Sequence, residues 1–187
     1  MKKIILIFAL PVIFMLSGCG NAPNEYSENK EAITQPSRVT EIDLSSYGMN
    51  LAITVPDTIK DKLVLTKISD MQLNGEIGEY GFTIFLNEIS EDENLSTEIK
   101  AHMDTTKAGI VRDPDNKFKR YLVEEPNAIF WESEEHGTEY HFCVILTEGK
   151  TIYYEVLSNG SMESEKLQKT ILEYVKTLKP KAAAKAS

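Results

Sequence analysis

Two stretches of this chain carry apolar side chains on both sides of an extended backbone, and this restricts the available folds more than any other feature. In residues 138–147, Tyr140, Phe142, Val144 and Leu146 fall on one side, with Cys143 and Ile145 on the other. In residues 80–89, Phe82, Ile84 and Leu86 oppose Phe85 and Ile89. A sheet with one wet face alternates apolar with polar residues. Here both faces of the sheet need cover.

Further strand patterns occupy residues 49–55, 62–68, 118–124, 128–133 and 150–158. They are punctuated by Pro56-Asp57, the Gly75 to Gly78 segment, Glu125-Pro126-Asn127 and Glu148-Gly149. The last four strands are joined by short loops, which only antiparallel pairing allows. Two amphipathic helices supply the covers. The first spans about 92–107, with Leu95, Ile99 and Met103 on one stripe and Gly109 as its stop. The second starts at Ser161 as N-cap, with Glu163 and Glu165 in its first turn, where the helix dipole favours negative charge. Its stripe is Leu167, Ile171, Val175 and Leu178, and Pro180 lies beyond it. The expected class is α+β: a mostly antiparallel sheet of about six or seven strands with two helices packed on it.

This order of elements, together with Tyr47-Gly48-Met49-Asn50-Leu51-Ala52-Ile53-Thr54-Val55-Pro56, resembles the PsbP/Mog1-like domains, which open on a strand ending in Val-Pro. The resemblance implies a sandwich-like α+β domain. It contains no diagnostic motif, so no functional residue is carried over from it.

The N-terminus reads Met1-Lys2-Lys3 and then an apolar run over residues 4–16. Positive charge followed by a short apolar stretch is the order of an export signal. A spanning helix needs roughly 20 apolar residues; this run is shorter and contains Pro11. It ends in Leu16-Ser17-Gly18-Cys19, which resembles the lipobox of bacterial lipoproteins. The resemblance implies cleavage before Cys19 and lipid on its thiol. Each buried methylene contributes about 0.8 kcal/mol, and stable anchoring takes more than one chain, which a lipidated cysteine supplies. The expected organisation is a signal peptide at 1–18, the lipidated cysteine and a flexible tether at 19–39, one α+β domain at 40–180 and a disordered tail at 181–187. The tether, poor in apolar residues, has a reach of roughly 25 Å.

A hydrophobic content of 42% is enough for one core. The formal charge of −9 grows by two once Lys2 and Lys3 leave with the signal. That balance excludes nucleic acid as a partner, because phosphate binding rests on Lys and Arg. It also excludes an electrostatic grip on anionic lipid. With Cys19 committed to lipid, Cys143 has no disulfide partner and reads as a small buried hydrophobe.

Four patterns bear on chemistry. His136 and His141, with Glu134, Glu135 and Glu139, offer metal-ligand atoms but match no zinc spacing, and read as a solvated hairpin end. Asp113-Pro114-Asp115-Asn116-Lys117, with Glu124 in twelfth place, is similar to a calcium loop, but Lys117 and Phe118 stand where a ligand and a glycine belong. The aromatics Tyr121, Phe130, Trp131, Tyr140, Tyr153 and Tyr154 read as sheet packing. The 29 carboxylates could hide a catalytic pair that sequence spacing cannot reveal. No nucleophile elbow, phosphate loop or His-Glu-x-x-His occurs. The expectation is an exported cell-envelope lipoprotein, held to a bilayer by acylated Cys19, with a non-enzymatic binding or assembly-accessory domain. It has no cofactor and no metal, its partner is an envelope protein, and its membrane is not specified. The alternative is an envelope hydrolase whose carboxylates or histidines converge only in the fold.

Overall fold

The computed structural model describes residues 38–134, 137–159 and 163–181. The expected signal peptide, Cys19, most of the tether, Glu135, His136, Ser161 and residues 182–187 lie outside the described residues.

In chain order the elements are β1 (Val39–Asp43), β2 (Leu51–Pro56), α1 (Asp57–Lys60), β3 (Leu63–Ser69), β4 (Gln72–Ile77), β5 (Tyr80–Glu88) and α2 (Leu95–Arg112). Then come β6 (Arg120–Glu125), β7 (Ala128–Ser133), β8 (Glu139–Glu148), β9 (Ile152–Asn159), α3 (Glu165–Val175) and β10 (Lys179–Pro180). Seven strands form one sheet in the order β3-β4-β5-β9-β8-β7-β6, antiparallel throughout. Two meanders, β3–β5 and β6–β9, meet at the β5–β9 pair, where Ile84 stands opposite Val156. A smaller sheet, β1-β2-β10, is built around β2. The class is α+β.

Both faces of the large sheet are covered, as the two-sided strands require, but three elements cover them rather than two. One core joins Leu73, Phe82, Ile84, Phe130, Phe142, Val144, Tyr154 and Val156 of the large sheet to Ile171, Leu172 and Val175 of α3 and to Leu51, Ile53 and Val55 of β2. The small sheet thus shares the cover with α3. Burying a side chain such as Phe142, which has 0% exposure, contributes roughly 1.5–3 kcal/mol. The second core is smaller: Met103 and Ile110 of α2 lie against Ile129, Trp131, Cys143, Ile145 and Tyr153. It involves β7, β8 and β9. The same face over β3 and β4 carries Thr66, Gln72 and Asn74 instead.

Several local expectations are corrected. Gly75, read as part of a turn, lies inside β4, opposite Phe82. The Phe82 ring occupies the space where a Gly75 Cβ would stand, so the glycine admits the aromatic. Val39, placed in the tether, begins β1. Helix α2 does not stop at Gly109. It starts after Asn94, whose side chain accepts the Thr97 N–H at 3.0 Å, and runs to Arg112, where Asp113-Pro114 ends it. Helix α3 is capped by Ser164 rather than Ser161. Its buried stripe is Gln168, Ile171, Leu172 and Val175, while Leu167 is exposed. The Gln168 amide explains the rotation: its Nε2 donates to the Tyr140 carbonyl at 2.8 Å, replacing an apolar contact with a tie to β8.

Candidate functional site

A cavity of about 950 Å³ lies beside the N-terminal half of α2. Leu95 and Ile99, half-buried against the second core, and the buried Met103 line the groove. The opposite wall comes from two turns: Pro126-Asn127 between β6 and β7, and Thr147, Gly149 and Lys150 between β8 and β9. Gly149 has φ 65°, the left-handed conformation this tight turn needs. The Asn127 side chain donates to the Ile145 carbonyl at 3.2 Å, and the Ile145 N–H donates to the Asn127 carbonyl at 2.8 Å, so the β6–β7 turn is tied to β8. Charge lies around the apolar strip in pairs: Lys100 with Asp104 at 2.5 Å, and Lys107 with Glu124 of β6 at 2.8 Å. An apolar strip flanked by charge suits a mixed apolar and polar ligand surface.

A polar cluster interrupts the second core deeper under α2. Glu155 of β9 faces α2 between Tyr153 and Leu157, with its side chain 17% exposed. Its Oε1 meets His102 Nε2 of α2 at 2.8 Å and accepts from Cys143 Sγ at 3.9 Å. The His102 ring stands edge-on to Tyr153, centroids 5.9 Å apart. Cysteine, carboxylate and histidine are therefore adjacent, but the carboxylate lies in the middle. The imidazole is not positioned to take the thiol proton, as a Cys–His nucleophile requires. Burial first, and the Glu155 charge and hydrogen bond after it, push the Cys143 thiol up to about 12. It is fully buried and protonated at neutral pH. Reading the sequence missed this cluster. The signal was Glu155 itself, a charge in the middle of an apolar strand face that calls for a partner.

His141 and Glu139 are not a solvated hairpin end; their side chains are 19% and 5% exposed. Ser133 Oγ lies 3.0 Å from His141 Nε2, and Glu139 Oε2 lies 3.5 Å from the same nitrogen. Ser133 and Glu139 thus share one ring nitrogen, whereas a relay through this pair would place them on opposite nitrogens. Ser133 is fully buried, and the Trp131 ring stacks on His141 at 5.2 Å. Glu132 is held by Arg120 at 2.8 Å, and Glu134 by Lys119 at 3.0 Å. None of these residues lines the groove. His136 and Glu135 lie outside the described residues.

The residues of the calcium-like pattern are not brought together. Asp113 closes α2 and accepts the Asp115 N–H at 3.0 Å, whereas Glu124 sits on β6 bonded to Lys107. The six aromatics divide between faces: Phe130, Tyr140 and Tyr154 in the α3-side core, Tyr121, Trp131 and Tyr153 in the α2-side core. They form no common ligand face. Tyr154 links the two sheets, because Glu148 accepts both its hydroxyl, at 2.5 Å, and the Asn50 amide.

No family model matches the chain, and no curated protein matches it in sequence. Among solved structures it is similar to the cyanobacterial PsbP (CyanoP) of Synechocystis sp. PCC 6803, at 10% identity and TM-score 0.45, over 79% of this chain and 95% of that one. It is also similar to the Ran-binding protein Mog1p of Saccharomyces cerevisiae, at 10% identity and TM-score 0.41, over 77% of this chain and 96% of that one. A protein of Bacteroides thetaiotaomicron is similar at 10% identity and TM-score 0.39, over 72% of this chain and 46% of that one. PsbP and Mog1p are thus among the structures the domain resembles, and no residue role passes from them to this chain.

Proposed function

We propose that this chain is a lipid-anchored cell-envelope protein whose domain binds a partner in the groove beside α2. Cys19 carries the lipid, the residues after it form the tether, and the domain presents the groove to an envelope protein. The groove carries this reading. It presents the half-buried Leu95 and Ile99, with Met103 buried beneath them, opposite two turns, and Lys100 and Lys107 are held in ion pairs. A rigid apolar strip with a charged border is the anatomy of a protein-binding patch. The hydrolase reading instead needs titratable groups converging on a shared point in a cleft. His102, Glu155, Ser133, Glu139 and His141 all lie outside the groove lining.

Site-specific photo-crosslinking in membranes of cells producing the full chain tests this. A benzophenone side chain at Ser96, in the groove, is compared with one at Asp61, exposed and outside it. The expected result is a discrete adduct from Ser96 alone, reduced about tenfold by Ile99→Asp, the equivalent of roughly 1.4 kcal/mol of binding. Identical adducts from both positions, or an adduct indifferent to Ile99→Asp, would contradict the groove as the binding site.

A further inference from the structure

Of the six exposed large apolar side chains among the described residues, Val64, Ile68 and Met71 belong to β3 and the turn after it. Strand β3 is a terminal strand of the large sheet. The opposite terminal strand, β6, is an ordinary protected edge: Arg120, Glu124 and Glu125 make up half of its six residues, and a bulge interrupts it. Strand β3 has one charge, Lys67, held by Asp70 at 2.7 Å. Its Thr66 pairs with Asn74, which pairs with Thr83, so Thr66 and Val64 lie on the face that α2 covers only over β7–β9.

We infer that β3 is an interface for a second copy of this chain, the two strands pairing antiparallel about a two-fold axis at Thr66. The charge pattern selects both occupant and register. With Thr66 on the axis, Leu65 faces the partner's Lys67, Val64 faces the partner's Ile68, and Lys62 faces the partner's Asp70. Each of the last two pairs occurs twice, so two exposed apolar pairs cover each other and two opposite charges meet. Asp70 is 94% exposed at its side chain and open to a second cation. Moving the axis to Lys67 sets two lysines face to face. Moving it to Leu65 sets Ile68 against Lys62. The β3 bulge between Lys67 and Ser69 lies beside the axis, at the Ile68 that faces the partner's Val64.

The test is disulfide trapping of the full chain in membranes under mild oxidation, with Thr66→Cys, Val64→Cys and Ile68→Cys as separate variants. All three positions are exposed. Thr66→Cys should cross-link to a species of twice the chain mass, because directly opposed Cα atoms lie within disulfide reach. Val64→Cys and Ile68→Cys alone should link about tenfold more slowly, their sulfurs being offset by four residues, roughly 13 Å. The two mixed should link to each other. Lys62→Asp should weaken the Thr66→Cys dimer, and Asp70→Lys added to it should restore it. Equal rates for all three single variants, no dimer from Thr66→Cys, or an adduct of some other mass would overturn the inference.

Discussion

The Cys143 thiol gives the sharpest quantitative test of the second core. Burial and Glu155 raise it from an ordinary 9.0 to about 12, so the thiolate fraction at neutral pH falls about a thousandfold. The sulfur is also fully buried, which removes reagent access on top of that. The assay is the absorbance rate of an aromatic disulfide reagent at pH 7.5 on native and denatured full chain, with Cys143→Ser as the blank. Native labelling is expected to be at least about a thousandfold slower than denatured labelling. The same displacement sets a pH dependence. The unfolded thiol ionises near 9 and the folded one near 12, so between them the unfolded chain holds fewer protons and stability falls as pH rises. The stabilisation from the neutral buried thiol is fully present below about pH 9, and the loss reaches about 4 kcal/mol by pH 12. Burial raises Tyr153 and Tyr154 in the same direction, so the measurement is the difference between the chain and Cys143→Ala in alkaline denaturation. Native labelling within tenfold of the denatured rate, or an alkaline slope unchanged by Cys143→Ala, would refute the buried placement.

Gly75→Ala puts a Cβ into the Phe82 ring and is expected to destabilise by about 1–3 kcal/mol, read by urea titration. Gly109→Ala has the opposite sign: nothing stands within 4 Å of its Cβ position, in the last turn of α2, so Tm should rise, with a gain of about 0.5–1 kcal/mol. His102→Ala leaves Glu155 half-buried without its 2.8 Å partner and should cost about 1–3 kcal/mol, whereas His102→Ala with Glu155→Leu should recover most of that.

The two-sided strands were the most legible part of the sequence, because a period of two survives any arrangement of the rest. Phe142 and Cys143 lie in opposite cores, as their alternation requires. What covers those faces was legible only in part. Strand β1 reads as polar, Val-Thr-Glu-Ile-Asp, because only alternate residues turn inward at the rim of the smaller sheet. Strand β4 was hidden by Gly75, whose meaning depends on the ring of Phe82 on the next strand. The rotation of α3 depends on one amide, Gln168, reaching a β8 carbonyl, which no periodicity encodes. The groove was half legible. Leu95, Ile99 and Met103 were visible as a stripe, but that the stripe borders a groove beside two turns is a consequence of topology. The His102–Glu155 tie spans 53 residues and becomes visible only once α2 lies across β9.

Attachment of the domain to a membrane rests on one residue, Cys19. Intact mass and peptide sequencing of the chain extracted from membranes measure it directly. The expected result is a mature N-terminus at Cys19 carrying a diacylglycerol thioether, with Cys19→Ala left uncleaved and unlabelled by fatty acid. A chain that keeps residues 1–18, or one cut elsewhere and free of lipid, would contradict it.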